Sequence, residues 1–499
     1  MKKKFYVTTP IYYVNDKPHI GHAYTTILAD VLVRFHRVAG QEVFFLTGLD
    51  EHGQKVQQAA EARGLSPVDH CNDLAPRFLQ LWDKLEIQYD DFIRTTQERH
   101  VKVVQAVLQK VYDAGDIYAD EYEGWYSVSE ERFITETEKE SGEFRDVSKL
   151  KEKNWFFRMG KYQQQLLDYI KDHPDFIQPE HRKNEVLGFL RQPLGDLCIS
   201  RPKSRMRWGI ELPFDKDYVT YVWFDALLNY VTGVGYEQDA QRFGEWWPAS
   251  VQLIGKDILT THCVYWTTML FSLGLPLPKT IFAHGWWLTG DTKMSKSLGN
   301  IVNPLDLIDQ YGVDSVRYYL MREMVLGQDA NFTMDSFIKR FNSDLANDFG
   351  NLLNRVSGLI GKYFDGCIPE TEETEAEKEI REVAESLDDK VNALIDSLRV
   401  HEAIEEILVL VRMVNKYMEV QAPWKVAKED LKRAGTILYT ATEALRVSAV
   451  HLSPVMPEKT KAVLEVLGAV DSSSQWGGLT PGTKMQAHEA LFPRLEVKD

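Results

Sequence analysis

The first fifty residues combine two apolar runs with one helical stripe. Residues 5–9 form a short β-rich run, and residues 43–46 are apolar on both faces, as in a buried strand. Between them, residues 24–35 carry apolar side chains at helical spacing. The pattern predicts a strand–helix–strand unit, and its right-handed crossover implies a parallel sheet. Residues 50–53 would then follow the carboxyl end of the second strand, where open α/β sheets bind ligands.

The pattern changes near residue 116. Residues 116–160 are rich in Glu, Lys and aromatic residues, which favours short strands and loops. Strand-like runs resume at residues 251–254 and 280–283, and both end in polar residues or glycine. From about residue 331 the spacing is helical almost to the end of the chain.

We therefore predict an α/β protein. It has a Rossmann-like parallel-sheet domain, an inserted α+β connective domain and a C-terminal all-helical bundle. The predicted ranges are 1–115 and 222–330 for the two halves of the sheet domain, 116–221 for the insertion, 331–368 for linker helices, and 369–499 for the bundle.

Composition and charge narrow the class of protein. The 499 residues are 44% apolar and 26% charged, which is ordinary for a globular protein, and the net charge of −16 opposes non-specific binding to nucleic acid. Four separated cysteines form no Cys-x-x-Cys pair, so neither a zinc site nor a disulfide framework is indicated. No apolar stretch has the length of a membrane helix or signal peptide. We expect a cytoplasmic protein with no membrane partner.

Two histidines mark the predicted start of the first helix. His19 and His22 are three residues apart and share one face, and helix N-termini attract anions. Gly21 between them would let a ligand approach the backbone closely. These features suit a nucleotide whose phosphates lie over the helix start. Histidines at this spacing are also common as polar surface, so a second feature has to decide.

That second feature is the stretch Lys-Met-Ser-Lys-Ser at residues 293–297. Lys293 and Lys296 lie between Gly290 and Gly299, which predicts a mobile loop. Their ammonium groups could close over a triphosphate and neutralise charge as pyrophosphate leaves. A lysine pair alone is usually solvated surface; its combination with the histidines is specific.

Residues 18–22 and 293–297 together resemble the two signatures of the class I aminoacyl-tRNA synthetases. The order is the expected one, with an insertion between them. The chain also resembles the methionyl-tRNA synthetase family in four further motifs, at residues 9–15, 50–53, 221–226 and 255–257. The resemblance runs from residue 5 to about residue 430 and is weakest in the insertion and after residue 369.

The resemblance implies a two-step reaction. L-Methionine and ATP, which brings Mg²⁺, would give methionyl-adenylate and pyrophosphate, and methionine would then pass to the 3′ end of tRNA(Met) for translation initiation and elongation. It implies these catalytic residues: His19, His22, Lys293 and Lys296. It implies these ATP-binding residues: His19, Gly21, His22, Gly255, Lys256, Asp257, His284, Lys293, Ser295 and Lys296.

The resemblance also assigns a methionine pocket and an anticodon site, and it implies that the linker helices at residues 331–368 contact the tRNA stem. Asp50 would pair with the substrate ammonium, and an aromatic pocket suits a thioether because sulfur packs favourably at ring edges. The implied methionine-binding residues are Ile11, Tyr13, Asp50, Trp223, Ala226, Tyr230, Ile258, His262 and Trp266. The implied anticodon-binding residues are Asn351, Arg355 and Trp424. Taken without the family, these tryptophans would be more typical of core packing.

The sequence departs from many relatives at one point. They carry cysteine-rich zinc knuckles in the insertion, whereas residues 122–127 contain no cysteine and none follows before Cys198. We therefore predict no zinc. The chain also lacks the oligonucleotide-binding extension that makes some relatives dimers, so we expect a monomer.

Three alternatives remain. Synthetases for leucine, isoleucine or valine carry larger editing insertions, and the cysteine enzyme uses zinc-binding cysteines. A nucleotidyltransferase can share the histidine motif but lacks a helical anticodon region. A non-catalytic RNA-binding relative would be expected to lose the catalytic motifs.

Overall fold

The computed structural model describes residues 3–14, 18–127, 132–134, 136–142, 146–290, 292–293, 302–470 and 473–496. The chain forms two compact units, residues 1–285 and residues 286–499. The predicted second half of the sheet domain, residues 222–330, therefore spans the boundary between the units.

The first unit contains fourteen described strands. They are β1 (Lys4–Thr8), β2 (Tyr12–Tyr13), β3 (Glu42–Asp50), β4 (Asp91–Arg94), β5 (Ile117–Ser127), β6 (Arg132–Ile134), β7 (Val147–Phe157), β8 (Ile177–Gln178), β9 (Leu197–Cys198), β10 (Ser200–Pro202), β11 (Glu211–Leu212), β12 (Asp215–Thr220), β13 (Val251–Gly255) and β14 (Thr280–His284).

Eleven α-helices of the same unit are described. They are α1 (Ile20–Val38), α2 (Gln54–Ala62), α3 (Pro67–Lys84), α4 (Glu98–Asp113), α5 (Glu136–Glu140), α6 (Gln163–Asp172), α7 (Glu180–Phe189), α8 (Val222–Ala226), α9 (Asn229–Thr232), α10 (Ala240–Trp246) and α11 (Thr267–Leu273).

The main sheet is wholly parallel in its described pairings. Its order is β2-β3-β1-β13-β14-β8, and β4 also pairs with β3. The chain passes from β1 through α1 to β3 on one side, whereas β13 lies on the other side of β1. The strand order thus reverses at the carboxyl ends of β1 and β13, the position at which such sheets bind ligands.

The predicted strand–helix–strand unit is confirmed. The buried face of α1 runs from Ile20 to His36, which matches the apolar stripe in the sequence. The strand predicted at residues 43–46 extends to Asp50. After β13, the chain forms a 3₁₀ turn (Lys256–Ile258) and a π-helix (Thr261–Trp266) before α11 begins.

The predicted insertion forms two antiparallel sheets. Their orders are β6-β5-β7-β9 and β10-β12-β11. Strands were expected here, but β5 and β7 are eleven residues each rather than short. One strand of the predicted insertion also belongs to the main sheet, because Ile177 and Gln178 of β8 pair with β14. A two-residue strand is too short to leave a periodic pattern.

The second unit begins with a small sheet and continues as helices. Its strands are β15 (Trp287–Thr289), β16 (Thr292–Lys293) and β17 (Ala330–Asn331). Its α-helices are α12 (Pro304–Tyr311), α13 (Val313–Glu323), α14 (Met334–Arg340), α15 (Asn351–Tyr363), α16 (Glu375–Glu385), α17 (Leu387–Asp396), α18 (Val400–Gln421), α19 (Pro423–Val426), α20 (Leu431–Leu452) and α21 (Pro457–Val466).

Helix α20 forms the core of the bundle. It is buried continuously from Ala434 to Leu452 and packs against α15, α16, α18, α19 and α21. A π-helical segment (Phe341–Gly350) joins α14 to α15. Among the residues described after Val466, none is helical, so the helical pattern ends before residues 473–496. Gly468, Gly477 and Gly482 adopt positive φ there, which breaks a helix.

None of the described helices is both long and apolar enough to cross a membrane. The predicted fold class, a parallel α/β sheet with an α+β insertion and a helical C-terminal region, is confirmed.

Candidate active site

The two histidines at the start of α1 cap the helix and orient each other. The backbone N–H of His19 donates to Nδ1 of His22 at 3.1 Å, and the N–H of Gly21 donates to Nδ1 of His19 at 3.0 Å. The two rings stack with centroids 3.9 Å apart. This is a capping box made of imidazoles, at the sheet edge where the strand order reverses.

These hydrogen bonds fix the tautomer of both rings in their neutral state. A ring nitrogen that accepts from a backbone N–H carries no proton, so the proton of each neutral imidazole sits on Nε2. Burial and the neighbouring His19 hold the pKa of His22 well below its ordinary value, so His22 stays neutral. His19 and His22 therefore present two Nε2–H donors on the sides of the rings opposite the helix backbone.

Gly21 also leaves room for the ring of His19. A Cβ added at Gly21 would lie 2.9 Å from Cε1 of His19, so the missing side chain makes room for the histidine ring itself. Tyr12 packs edge-on against His22 with centroids 4.9 Å apart, and its hydroxyl bonds Thr26 at 2.7 Å. The ring of His22 is thus held from the strand side as well as from the helix.

His284 ties the end of β14 to α1. Its Nε2 lies 2.7 Å from the hydroxyl of Thr25, and its Nδ1 lies 2.7 Å from the carbonyl oxygen of Gly285. Because a carbonyl only accepts, Nδ1 donates to it and Nε2 accepts from Thr25. Burial lowers the pKa of His284. Both nitrogens of this predicted ATP ligand are used inside the protein, so any contact with a nucleotide is made by the face of its ring.

The end of β13 approaches the same edge. A Cβ at Gly255 would lie 2.6 Å from Oδ1 of Asp257 and 3.9 Å from Cε1 of His284. The absence of a side chain at residue 255 thus leaves room for the Asp257 carboxylate beside the strand end. The structure brings Gly255, Asp257 and His284 together at the ends of the neighbouring parallel strands β13 and β14.

Four of the predicted methionine-pocket residues form one cluster. The hydroxyl of Tyr230 lies 2.7 Å from Nε2 of His262, and Nδ1 of His262 donates to the carbonyl of Ile258 at 2.9 Å. Burial lowers the pKa of His262 to about 4, so the ring is neutral and accepts from Tyr230. Trp266 completes the cluster, with its ring 5.8 Å from that of Tyr230.

Trp266 is held in place by a hydrogen bond to a strand residue. Its indole N–H donates to Oε1 of Gln252 on β13 at 3.1 Å, and its side chain is fully buried. The cluster is apolar and aromatic on its ring surfaces, and the ring nitrogens of His262 and Trp266 are hydrogen-bonded within the protein. Such a wall suits a thioether side chain.

The other predicted pocket residues lie on neighbouring segments. Tyr13 of β2 pairs in register with Asp50 of β3, and Asp50 is buried. Trp223 is partly exposed and Ala226 is buried, and both lie on α8. Ile11, partly exposed, packs against the core just before β2.

A buried histidine–aspartate–histidine network was missed by the sequence analysis. Asp225, between Trp223 and Ala226, contacts Nδ1 of His52 at 2.6 Å and Nε2 of His100 at 2.7 Å. Burial alone would raise the pKa of Asp225, but the two histidines outweigh it and hold that pKa below its ordinary value. The available signal was an aspartate inside the apolar motif at residues 221–226.

Several contacts hold the segment that follows Asp50. Glu51 is buried and pairs with Arg94 at 2.6 Å. Trp208, from the predicted insertion, packs its ring 5.3 Å from that of His52, and its carbonyl accepts from the N–H of Gly53 at 3.2 Å. Trp208 of the insertion thus packs against the segment that follows Asp50.

Most of the second signature lies outside the described residues. Ser295 and Lys296 fall in the range 294–301, and only the main chain of Lys293 is described, as the last residue of β16. Their predicted roles stay predictions.

The predicted anticodon residues lie on two helices of the second unit. Asn351 is exposed at the start of α15, and Arg355 follows one turn later. The guanidinium of Arg355 lies 5.8 Å from the ring centroid of Trp424 on α19. Trp424 is partly exposed, so part of its ring is accessible to a base.

No group of three or more His, Cys, Asp or Glu residues suited to a metal ion occurs in the part of the chain that the structure describes. The described cysteines are free thiols.

Comparison with known proteins agrees with this geometry. The family model described as "tRNA synthetases class I (M)" matches residues 5–142 and 141–357. The family model of the anticodon binding domain of methionyl tRNA ligase matches residues 368–499.

Individual relatives match over nearly the whole chain. A methionine–tRNA ligase of Clostridium acetobutylicum is 48% identical over 509 residues, covering 99% of this chain and 79% of the relative. The methionine–tRNA ligase of Bacillus subtilis is 45% identical over 522 residues, covering 99% and 78%. A Mycobacterium tuberculosis methionyl-tRNA synthetase solved with methionyl-adenylate is 40% identical with a TM-score of 0.93, covering 99% of this chain and all of that one.

The fold is that of a class I tRNA synthetase, and the chain belongs to the methionyl-tRNA synthetase family.

Proposed function

We propose that the protein is a methionine–tRNA ligase. It activates L-methionine with ATP to methionyl-adenylate and pyrophosphate, and then transfers methionine to the 3′ end of tRNA(Met). The observation that carries the activation step is the pair of imidazoles at the N-terminus of α1, each of which accepts a backbone N–H on Nδ1 and so keeps its Nε2–H as a donor.

In the first step, the methionine carboxylate attacks the α-phosphorus of ATP and pyrophosphate leaves with Mg²⁺, which arrives with ATP as part of the substrate. Negative charge builds up on the phosphate oxygens, and preorganised donors stabilise it most in the transition state. The Nε2–H groups of His19 and His22 supply such donors. Lys293 and Lys296 supply positive charge, with Ser295 beside them, as implied by the second signature.

ATP lies over the switch point of the sheet in this proposal. The positive end of the α1 dipole attracts phosphate, and the absence of a side chain at Gly21 leaves room for the His19 ring. Gly255, Lys256 and Asp257 line the neighbouring strand end. His284 contributes its ring face, because its nitrogens hold Thr25 and Gly285.

Methionine lies between the aromatic cluster and the end of β3. Its side chain packs on Tyr230, His262 and Trp266, and Ile258 orients His262. The Asp50 carboxylate pairs with the α-ammonium. The pocket is completed by residues from the adjoining segments: Ile11, Tyr13, Trp223 and Ala226.

The second unit reads the anticodon. Trp424 offers a ring on which an unpaired base can stack, and Asn351 and Arg355 offer side-chain donors to base edges. The attacking group in the second step is the terminal ribose hydroxyl of tRNA, so no protein nucleophile is required.

Four further features of the proposal rest on the sequence. We expect no bound zinc, a monomer, a cytoplasmic location, and a chain organised in the domains 1–115 with 222–330, 116–221, 331–368 and 369–499. Elemental analysis of protein purified in metal-free buffer tests the zinc prediction, and one zinc per chain would contradict it.

The experiment that tests the function is aminoacylation. Purified protein, ATP, Mg²⁺ and labelled amino acid are incubated with a tRNA(Met) transcript and with the same transcript carrying a changed anticodon. We expect methionine to be attached to the first and poorly to the second. Attachment of another amino acid, or of none, would refute the proposal.

A further inference from the structure

The buried network around Asp225 joins two sides of the proposed methionine pocket. His52 lies two residues after Asp50, the proposed partner of the substrate ammonium. Asp225 lies between Trp223 and Ala226, the proposed wall of the side-chain pocket. The 2.6 Å contact between His52 and Asp225 therefore connects the end of β3 directly to α8, across 173 residues of sequence.

His100 holds the second oxygen of the same carboxylate. Its Nε2 donates to Oδ1 of Asp225 at 2.7 Å, and its Nδ1 lies 3.2 Å from the hydroxyl of Thr232 on α9. His100 lies on α4 and is fully buried. Asp225 is thus held from two directions, by two side chains that belong to different elements.

The network is closed on its outer side. The ring of Trp208 lies 5.3 Å from that of His52, and the backbone of Trp208 accepts from Gly53. The side chain of Gln57 on α2 accepts in turn from the N–H of Trp208 at 3.2 Å. His52 is therefore held between Trp208 and Asp225, which leaves the segment after Asp50 little freedom to move.

A buried carboxylate has a large desolvation cost, which His52 and His100 offset through hydrogen bonds and charge. A fold that only needed an apolar core here could avoid that cost with a leucine or asparagine. The geometry supplies a reason for the carboxylate: it accepts from two donors at once and so fixes α8 and the end of β3 in one arrangement.

We propose that Asp225, held by His52 and His100, is a positioning residue that sets the spacing between Asp50 and the Trp223–Ala226 wall for methionine. This inference rests on the proposed function. Its particular consequence is that His100, which lies on α4 rather than on either pocket segment, controls the affinity for methionine through Asp225.

The test uses three variants of the full chain in methionine-dependent ATP–pyrophosphate exchange. His100→Leu removes the donor to Asp225. His100→Gln keeps an N–H donor at nearly the position of Nε2. His36→Leu is the matched control, because His36 is a buried histidine in the same unit that packs on Phe5, away from this network.

We expect His100→Leu to raise the methionine KM by about tenfold or more, as for the loss of a hydrogen bond to a buried charge, with the ATP KM within about twofold of wild type. His100→Gln should recover most of the methionine KM. His36→Leu should lower the melting temperature and leave both KM values within about twofold.

The results separate this inference from the proposed function. Wild-type protein without methionine-dependent exchange would refute the function. Active wild type with an unchanged methionine KM in His100→Leu would refute the positioning role alone. Equal increases in the methionine and ATP KM values, no recovery in His100→Gln, or the same methionine effect in His36→Leu would also refute it, because each indicates general loosening. If His100→Leu does not fold, the methionine KM of His100→Gln is compared with that of Asp225→Asn. Asp225→Asn should raise the methionine KM, and His100→Gln should not.

Discussion

His19 donates its backbone N–H to Nδ1 of His22 at 3.1 Å, so one hydrogen bond both caps α1 and fixes the proton of His22 on Nε2. Helix formation and the orientation of the proposed phosphate donor thus depend on the same contact. The two roles belong to different nitrogens of the ring, which makes them separable by substitution.

Asparagine and glutamine at residue 22 should separate them. His22→Asn places an amide oxygen near the Nδ1 position and keeps the cap, whereas His22→Gln places an amide N–H near the Nε2 position and keeps the donor. We expect exchange activity to fall by about 100-fold or more in His22→Asn with a nearly unchanged melting temperature. His22→Gln should retain more activity and lose more stability. The reverse order of activities would mean that Nε2 is not the working donor.

The neutral state of His262 predicts a dependence of stability on pH. Its pKa in the folded protein is about 4, below the ordinary value of 6.5, because the ring is buried. As pH falls below about 6.5, the unfolded chain takes up this proton first, so the stabilisation present at neutral pH is lost toward about pH 4. The loss amounts to about 3 kcal/mol at most.

His262→Gln removes this titration and keeps an acceptor for Tyr230. We expect the free energy of unfolding to drop less between about pH 7 and pH 4 in His262→Gln than in wild type. Denaturant unfolding at both pH values measures the difference. Identical drops in the free energy of unfolding of the two proteins would show that His262 does not titrate as inferred. His22 and His284 are present in both proteins, so their contributions to the drop cancel in the comparison.

Trp424 should matter for tRNA and not for methionine activation. Its partly exposed ring lies beside the Arg355 guanidinium, and stacking on an unpaired base contributes about 1–3 kcal/mol. Trp424→Ala should therefore raise the KM for tRNA(Met) by about tenfold or more and leave methionine-dependent exchange unchanged. Trp476 is not near these residues in sequence, and Trp476→Ala serves as a control for tryptophan loss in the same unit. Unchanged charging in Trp424→Ala would remove the anticodon role.

A buried ion pair anchors the end of the second unit. The Glu443 carboxylate accepts from the backbone N–H groups of Gly477, Gly478 and Leu479 and pairs with Arg446, and both charged side chains are fully buried. Glu443→Gln should destabilise the unit by about 3–5 kcal/mol, since it leaves Arg446 without its partner.

Hydrogen exchange measures that prediction directly. The amides of residues 477–479 should exchange faster in Glu443→Gln than in wild type, before the rest of the unit is affected. The double variant Glu443→Gln with Arg446→Met should regain part of the stability, because no unpaired charge remains. Unchanged exchange at these three amides would contradict the anchoring role.

The sequence predicted the regular elements of the sheet well, for a physical reason. Strands β1, β3, β13 and β14 are apolar runs, and α1 has a buried stripe long enough to show its period. Local spacing is sufficient to determine such elements. The capped histidine pair was also visible, because His19 and His22 are close in sequence and precede the helix directly.

The contacts that join distant segments could not be predicted. His52, His100 and Asp225 meet only after the sheet has formed, and no spacing connects them. The close approach of Gly21 to the His19 ring could not be predicted for a similar reason, since it depends on the rotamer of His19. The π-helix before α11 was not predicted either, because its apolar residues also fit α-helical spacing.

The central claim is that the histidine pair serves the activation of methionine by ATP. Methionine-dependent exchange of labelled pyrophosphate into ATP, measured without tRNA, tests it most directly. We expect exchange with methionine and Mg²⁺, none with leucine, and a fall by orders of magnitude in His22→Ala and Lys296→Ala. Exchange driven by leucine and not by methionine, or exchange with methionine that survives both substitutions, would contradict the account.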